Sequence, residues 1–418
     1  MLRWLESWGI RRYHHVLALF DKIRISMTDP IAVLPKSRQL SVALPRCIFP
    51  FPMNSNRVAE LCHCFKEKRV IVIGDVMLDH YLNGEVGRIS PEAPVPVLDF
   101  CNETYLPGGA ANVARNLASL GAVADLFGVI GHDNAGSVFK KIVRDGGIRL
   151  GGLIMERGRP TTVKTRIMAK HQQMMRIDHE SRLPLVVASK RRLLRALRHG
   201  LKGAAAIIVA DYAKGVVDQD MLDEIFVLAR NAKVPVCIDP KPNRLLRMKG
   251  CALLTPNRKE AFELAGMRDE GAGSNPVCDL GLRSAMGRIQ RLYAPGILLV
   301  TLGEGGMLVL ERGGSPRHLP TVAQAVYDVS GAGDTVIASF ALARIAGADA
   351  AESATFANIA AGIVVGKLGA ASVSPKELIK WLSPGNAAMG VLALSGAADK
   401  KQAAVRVIQA PHLEGQLS

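Results

Sequence analysis

Long apolar runs are missing from this chain. No uninterrupted stretch approaches the ~18–20 residues that a membrane-spanning helix needs, and the richest segment, Phe356 to Val373, carries Lys367 inside it. It reads as a buried small-residue helix, so no membrane partner is expected. Aromatic residues are scarce at 5%, which leaves few stacking platforms for single-stranded nucleic acid. Charged residues make up 22% against 49% hydrophobic, a balance that excludes general disorder and supplies a core. The seven cysteines are odd in number and scattered, so they form no complete disulfide framework and point to a reducing, cytoplasmic setting. Cys62 and Cys64 flank His63, yet no second ligand pair stands at a finger-like spacing, and no metal is expected there. Two common nucleotide motifs are absent too. The segment GIVVGKL, residues 362–368, lacks the Walker spacing, and no G-x-G-x-x-G follows a strand-like run.

What the chain has in excess is positive charge, +16 at neutral pH. Much of it falls in two segments. Residues 1–52 hold eight Lys and Arg against three Asp and Glu, and residues 189–203 (SKRRLLRALRHGLKG) pattern as a basic amphipathic helix. Clustered cations attract polyanions, but Leu193, Leu194, Leu197 and Leu201 give that helix the pattern of an inward apolar face and a solvated basic one. A phosphorylated small substrate is a further reason for positive potential.

Residues 1–66 are basic, broken by Pro30, Pro35, Pro45, Pro50 and Pro52, and lack a secretory cleavage pattern. They are read as an N-terminal extension, disordered or mis-started, with Met53 a candidate start. Ordered alternation begins at residue 69. Strand-like runs at 70–74, 124–130, 205–211, 235–239, 252–255 and 296–301 alternate with helix patterns at 109–121, 134–145, 186–202, 218–232, 257–265 and 278–293. Buried strands alternating with helices predict an α/β fold: a mostly parallel sheet with helices on both faces. Two β-prone inserts, 85–106 and 161–178, lack an immediate crossover helix and predict a small β lid. One domain is thus expected over 67–384, with a C-terminal tail at 385–418.

Two glycine motifs carry the chemistry. In YDVSGAGDTVIASFA, residues 327–341, Gly331, Ala332 and Gly333 precede Asp334, and Val336, Phe340 and Ala343 continue at helical spacing. A glycine turn at a helix N-terminus aims free backbone N–H groups outward and forms an anion hole. A carboxylate beside it can take a proton from an attacking hydroxyl, the base's task in phosphoryl transfer. The plainer alternative is an aspartate that serves only the helix dipole. In PGGAANVARNLASLG, residues 107–121, Gly108 and Gly109 precede a helix bearing Asn112, which suits a polyhydroxyl ligand or, more plainly, tight helix packing.

Together, in this order, the motifs resemble the two signatures of the ribokinase-like (pfkB) carbohydrate kinase family, over roughly residues 69–380. The resemblance implies ATP and Mg²⁺ as cofactors, Asp334 as catalytic base, and the amides from Gly331 through Asp334 as stabilisers of the transferring phosphoryl group. TPNRKEA (255–261) is similar to the family's N-x-x-E element, implying that Asn257 and Glu260 organise magnesium through water. TLGEGG (301–306) resembles its nucleotide loop, implicating Thr301 and Gly303, and Asn358 matches a position near the adenine. GDVMLDHY (74–81), RISPEAPVPV (88–97), ADYAKG (210–215), IDPK (238–241) and VVGKLGAASVSP (364–375) narrow the likeness to heptose-7-phosphate kinases of lipopolysaccharide biosynthesis. That subfamily phosphorylates the anomeric hydroxyl of D-glycero-β-D-manno-heptose 7-phosphate.

For such a substrate, Asp75 and Asp79 suit the sugar hydroxyls, and Arg88, Lys164, Arg166, Arg176 and Lys214 suit the distal phosphate. Asp211 and Lys214 follow a strand, where open α/β sheets place ligands. None of the ten histidines stands in an H-x-G-H element, so a separate nucleotidyltransferase partner is expected. Lids in this family often pair, so a homodimer through the lid is expected as well. Rival readings are a kinase of another sugar or nucleoside, and a nucleic-acid-binding protein on an inactive kinase fold.

Overall fold

The structure, a computed structural model, describes residues 53–383 except 171, 243–245, 272, 274, 324 and 368. The expectations for residues 1–52 and 385–418 lie outside the described residues. The fold begins earlier than the expected boundary at 67. Helix α1 (Ser55–Phe65) is capped by Asn54, whose side chain accepts the Arg57 N–H. Its Val58, Leu61 and Phe65 are buried, and the Phe65 ring meets Phe356 edge-on with centroids 5.5 Å apart. Burying such a side chain is worth about 1.5–3 kcal/mol, which ties α1 to the core rather than to an extension.

The chain then runs β1 (Arg69–Gly74), β2 (Val76–Ile89), β3 (Pro96–Gly109), α2 (Ala110–Ser119), β4 (Val123–Gly131), α3 (Asn134–Asp145) and β5 (Arg149–Glu156). There follow β6 (Val163–Ala169), β7 (Gln172–His179), α4 (Val187–Gly200), β8 (Ala206–Ala210), α5 (Gln219–Ala232), β9 (Val236–Asp239), β10 (Leu253–Leu254), α6 (Arg258–Ala265) and α7 (Leu280–Tyr293). The last third holds β11 (Ile297–Thr301), β12 (Met307–Glu311), β13 (Arg317–Leu319), α8 (Ala332–Ile345), α9 (Ala350–Val364) and α10 (Pro375–Trp381).

Nine strands form the main sheet in the order β13-β12-β11-β10-β9-β8-β1-β4-β5. All pairs are parallel except β11–β12 and β12–β13. Both faces are covered, so central strands such as β8 are buried at every residue. One face packs on α1, α2, α8 and α9, the other on α4, α5, α6 and α7. Every expected strand and helix of the sheet layer is present. The sequence reading lacked β5, β12 and β13: β5 and β13 are the two edges, β5 carrying Gly151 and Gly152 and half exposed and β13 having three residues, and β12 is the antiparallel strand between β11 and β13.

The lid is a separate four-stranded sheet, order β3-β2-β6-β7. It starts at Val76, well before the expected 85, because β2 leaves the core directly after β1 and keeps its first residues buried. Gly108 and Gly109, which precede a helix as expected, end β3, and Gly109 is the N-cap of α2.

Candidate active site

The α8 N-terminus lies against α2, and side chains set the spacing. Asn112 Nδ2 donates to Asp334 Oδ2 at 2.7 Å, and one turn further on Thr335 Oγ1 donates to Asn116 Oδ1 at 2.9 Å. Gly331 precedes the first helical residue in a left-handed conformation, φ +77°, and a Cβ there would come within 2.5 Å of the Asn112 amide nitrogen. At Gly333 a Cβ would meet nothing within 4 Å, so the face of the first turn is open. Helix-start N–H groups point outward there, with the dipole behind them. The Ala332 N–H is the exception: it donates to Val329 O at 3.2 Å, which corrects its expected share in the anion hole.

Asp334 is 7% exposed. Its Oδ1 accepts the Tyr212 hydroxyl. Burial pushes its carboxyl up to about 6, against the pull of the bonds from Tyr212 and Asn112 and the charge of Arg115. A base that titrates there is ionised at neutral pH and still holds a proton well enough to accept one.

The residues expected to meet the sugar divide. Asp79, buried, accepts from Arg166 Nη1 at 2.6 Å, and a Cβ on Gly108 would strike its Oδ2, so Gly108 is glycine to make room for it. Asn112 Oδ1 is buried without a hydrogen-bond partner. Strand register places Asp79 beside Lys164 and Tyr81 beside Arg166 on one lid face, with the Arg166 guanidinium 5.2 Å from the Tyr81 ring centroid. Asp75 is a correction. It is 1% exposed, and its carboxylate accepts backbone N–H bonds from Tyr212 (2.9 Å), Lys214 (3.0 Å) and Val216 (3.0 Å). It anchors the loop after β8 and does not meet a sugar hydroxyl. Asp211 serves the same loop through the Ala213 N–H at 2.8 Å.

The expected phosphate cations are mostly committed to carboxylates. Lys164 and Lys214 converge on Glu180, at 3.5 and 2.5 Å, joining the lid to the main sheet. Arg176 pairs with Asp178 at 2.8 Å, and Lys164 shares that carboxylate at 3.0 Å. Arg88 is exposed on β2, nine positions beyond Asp79, which is about 30 Å at strand spacing. Within one chain it does not reach the site.

Of the residues expected at the nucleotide, Asn257 and Glu260 form a capping box for α6: Asn257 Oδ1 accepts the Glu260 N–H at 2.9 Å and Glu260 Oε2 accepts the Asn257 N–H at 3.0 Å. Glu260 Oε1 also receives Lys241 Nζ at 2.8 Å. Asn257 bridges to Thr301 at the end of β11, and Gly303 opens the turn after it with φ +59°. Asn358 donates to Pro320 O at 2.7 Å and so braces the segment after β13.

Burial, with Asp334 and Glu260 repelling it, pushes the Asp239 carboxyl well above its ordinary range. The crowding of the Asp239, Glu260 and Asp334 carboxyls there suits a cation. Among the described residues no three His, Cys, Asp or Glu side chains are grouped to hold a metal directly. Sequence reasoning missed Tyr212, Arg115 and Glu180. Tyr212 and Arg115 sit inside the quoted segments ADYAKG and PGGAANVARNLASLG, but nothing in either segment says which way they point.

Residues 67–377 match the profile described as pfkB family carbohydrate kinase. The "Bifunctional protein HldE" of Pelobacter propionicus is 40% identical over 328 residues, covering 78% of this chain and 66% of the relative. That of Caulobacter vibrioides is 40% identical over 349 residues, covering 83% and 69%. The matched span is about two thirds of the length of these relatives. Among solved structures, ribokinase of Arabidopsis thaliana complexed with ribose and ATP aligns with TM-score 0.59 and 22% identity over 76% of this chain and 98% of that one. Phosphofructokinase-2 of Escherichia coli in complex with potassium gives 0.60 and 18%, over 76% and 99%. These two establish the shared fold. By the profile match and the 40% identity, the chain belongs to the pfkB family of carbohydrate kinases.

Proposed function

We propose that the protein transfers the γ-phosphoryl group of ATP to the anomeric hydroxyl of D-glycero-β-D-manno-heptose 7-phosphate, giving the 1,7-bisphosphate for ADP-heptose and lipopolysaccharide core biosynthesis in the cytoplasm. The observation that carries this reading is the bond from Asn112 to Asp334. It spans 222 residues and makes the two glycine motifs one site. The relatives named HldE and the quoted heptose-kinase-like segments support the choice of sugar.

In this reading the sugar lies between the lid and α8. Asp79 and the unpaired Asn112 Oδ1 accept its hydroxyl protons, and Asp334 removes the anomeric proton. The resulting oxygen bonds to the γ-phosphorus as the bond to the bridging oxygen of ADP breaks. The outward N–H groups at Gly333 and Asp334 stabilise the charge in flight, and positioning supplies much of the rate. Bound Mg²⁺ would neutralise phosphate charge, held through water by Asn257 and Glu260. Lys164 and Lys214, exchanging Glu180 for the distal phosphate, would read the phosphorylated end. The lid is proposed to pair two subunits, and nucleotidyl transfer to the product to lie outside these 418 residues.

A second reading, a kinase of an unphosphorylated sugar, is favoured by one observation: Lys164, Arg176 and Lys214 already have carboxylate partners. ADP release from ATP·Mg²⁺ with heptose 7-phosphate, heptose, fructose 6-phosphate and ribose separates the two. Selective turnover of heptose 7-phosphate, lowered ~10²–10⁴-fold in Asp334→Asn, is the expected result. Preference for an unphosphorylated sugar would retain the family and discard the pathway.

A further inference from the structure

The loop leaving β8 is held with unusual firmness. Asp75 accepts its Tyr212, Lys214 and Val216 N–H groups, Asp211 accepts that of Ala213, and Ala213 itself lies in the left-handed region at φ +57°. A non-glycine residue persists in that conformation only where its surroundings over-determine it. What the loop delivers is the Tyr212 hydroxyl to Asp334 Oδ1, while Asn112, from α2 on another side, donates to Oδ2 at 2.7 Å. Each oxygen of the carboxylate thus has one donor, which fixes the plane of the group and leaves its other lone pairs for a substrate.

We propose that Tyr212 is a positioning residue for Asp334: its phenol orients the carboxylate and favours the ionised form that accepts the substrate's proton, and Asp75 acts by holding the loop that carries Tyr212. The proposal rests on the reading of Asp334 as the base. The phenol stays a donor across the working pH range, because burial and the carboxylates of Asp334, Asp239 and Asp79 push its own titration well above the ordinary value. Around Asp334, burial and Asp79 from β2 raise its titration, while Asp239 at the end of β9 faces it with its own carboxyl pushed well up. Arg115 and Asn112 from α2, with Tyr212, lower it. Removing the phenol takes away one of the lowering contacts, so the carboxyl must titrate at a higher pH. A base works only when ionised, so the acid limb of the rate profile must move up with it.

The test uses the full chain carrying Tyr212→Phe. Carboxyl-¹³C aspartate labelling follows Asp334 directly, its resonance being the one lost in Asp334→Asn. The expected wild-type midpoint, about 6, moves to higher pH in Tyr212→Phe, and kcat falls roughly tenfold while KM for the sugar stays within about twofold. In the Asp334→Asn background the same change has no further effect on kcat, since the residue acts through the base. An unchanged midpoint, or additive losses in the double variant, would overturn the proposal. Should Tyr212→Phe fail to fold, 3-fluorotyrosine at position 212 keeps size and hydroxyl while strengthening the donor, and the midpoint must then move to lower pH. The titration needs no substrate, so it remains decisive even where heptose 7-phosphate is not turned over. Near-normal turnover in Asp334→Asn would instead remove the base assignment itself.

Discussion

At the scale of single residues, the buried Asp334 carboxylate costs the fold stability. Asp334 titrates at about 6 in the fold against an ordinary 3.8, so between those values the folded protein holds more proton than the unfolded chain. Its contribution to stability is therefore greatest below pH 3.8 and is lost as pH rises through 6. Asparagine has no such penalty, and Asn112 can turn its unpaired Oδ1 towards the new amide. Urea unfolding of Asp334→Asn and wild type is expected to show a stability gap in favour of the variant. That gap widens between pH 4 and 6.5 and levels off at on the order of 2–3 kcal/mol. A gap that is constant with pH would mean that Asp334 is not shifted. Asp75 and Asp79 teach the complementary lesson. Both follow β1 as acidic residues, and the residues before and after them do not separate a loop anchor from a ligand-facing group. Three backbone N–H groups converging on Asp75 do.

Among elements, α6 shows how one motif serves two purposes. N-x-x-E is the spacing of a capping box as well as of a phosphate-end signature, and here Asn257 and Glu260 complete the box. The two roles come apart on substitution. Asn257→Ser keeps a capping oxygen and is expected to hold stability, whereas Asn257→Ala loses about 1 kcal/mol. Both are expected to weaken kcat/KM for ATP if the side chain also orders water around magnesium. Thermal melts alongside ATP titrations check this, and a loss confined to stability in Asn257→Ala would leave only the cap. The lid strands show a different coupling. Their inner face is polar and knitted to the site through Asp79, Tyr81 and Arg166, while β7 has no buried residue. A single-layer sheet needs cover on its second face.

For the whole molecule, that uncovered face is where the proposed pairing of lids would fall. Met175 and Ile177 are 57% and 51% exposed on β7, on the side opposite Arg176, where strand alternation puts them. If two lids pair, Met175→Glu with Ile177→Glu is expected to convert a dimer to monomers by light scattering and to raise KM for the sugar as the lid loses its support. A wild type that is monomeric at micromolar concentration would discard the pairing. The positive charge divides along similar lines. In the basic helix α4, Leu193 and Leu197 are buried and Arg191, Arg195 and Arg198 are exposed, the solvated-face reading.

The alternation of strands and helices, and the helix start that puts Asp334 in the first turn after a glycine run, were legible from the amino-acid order. Periodicity and backbone freedom are local properties, and a helix start with glycines before an aspartate has the same chemistry wherever the chain carries it. The fate of each acidic and basic side chain was not legible in this way. Asp75 became an anchor, Lys164 and Lys214 came to share Glu180, and Tyr212 met a carboxylate 122 positions away. Those outcomes depend on which strand ends lie side by side, and the sheet order β9-β8-β1-β4 is a long-range choice that no local pattern encodes. Hydrogen bonds and ion pairs act over a few ångströms, so only the assembled fold decides which partners come within their reach.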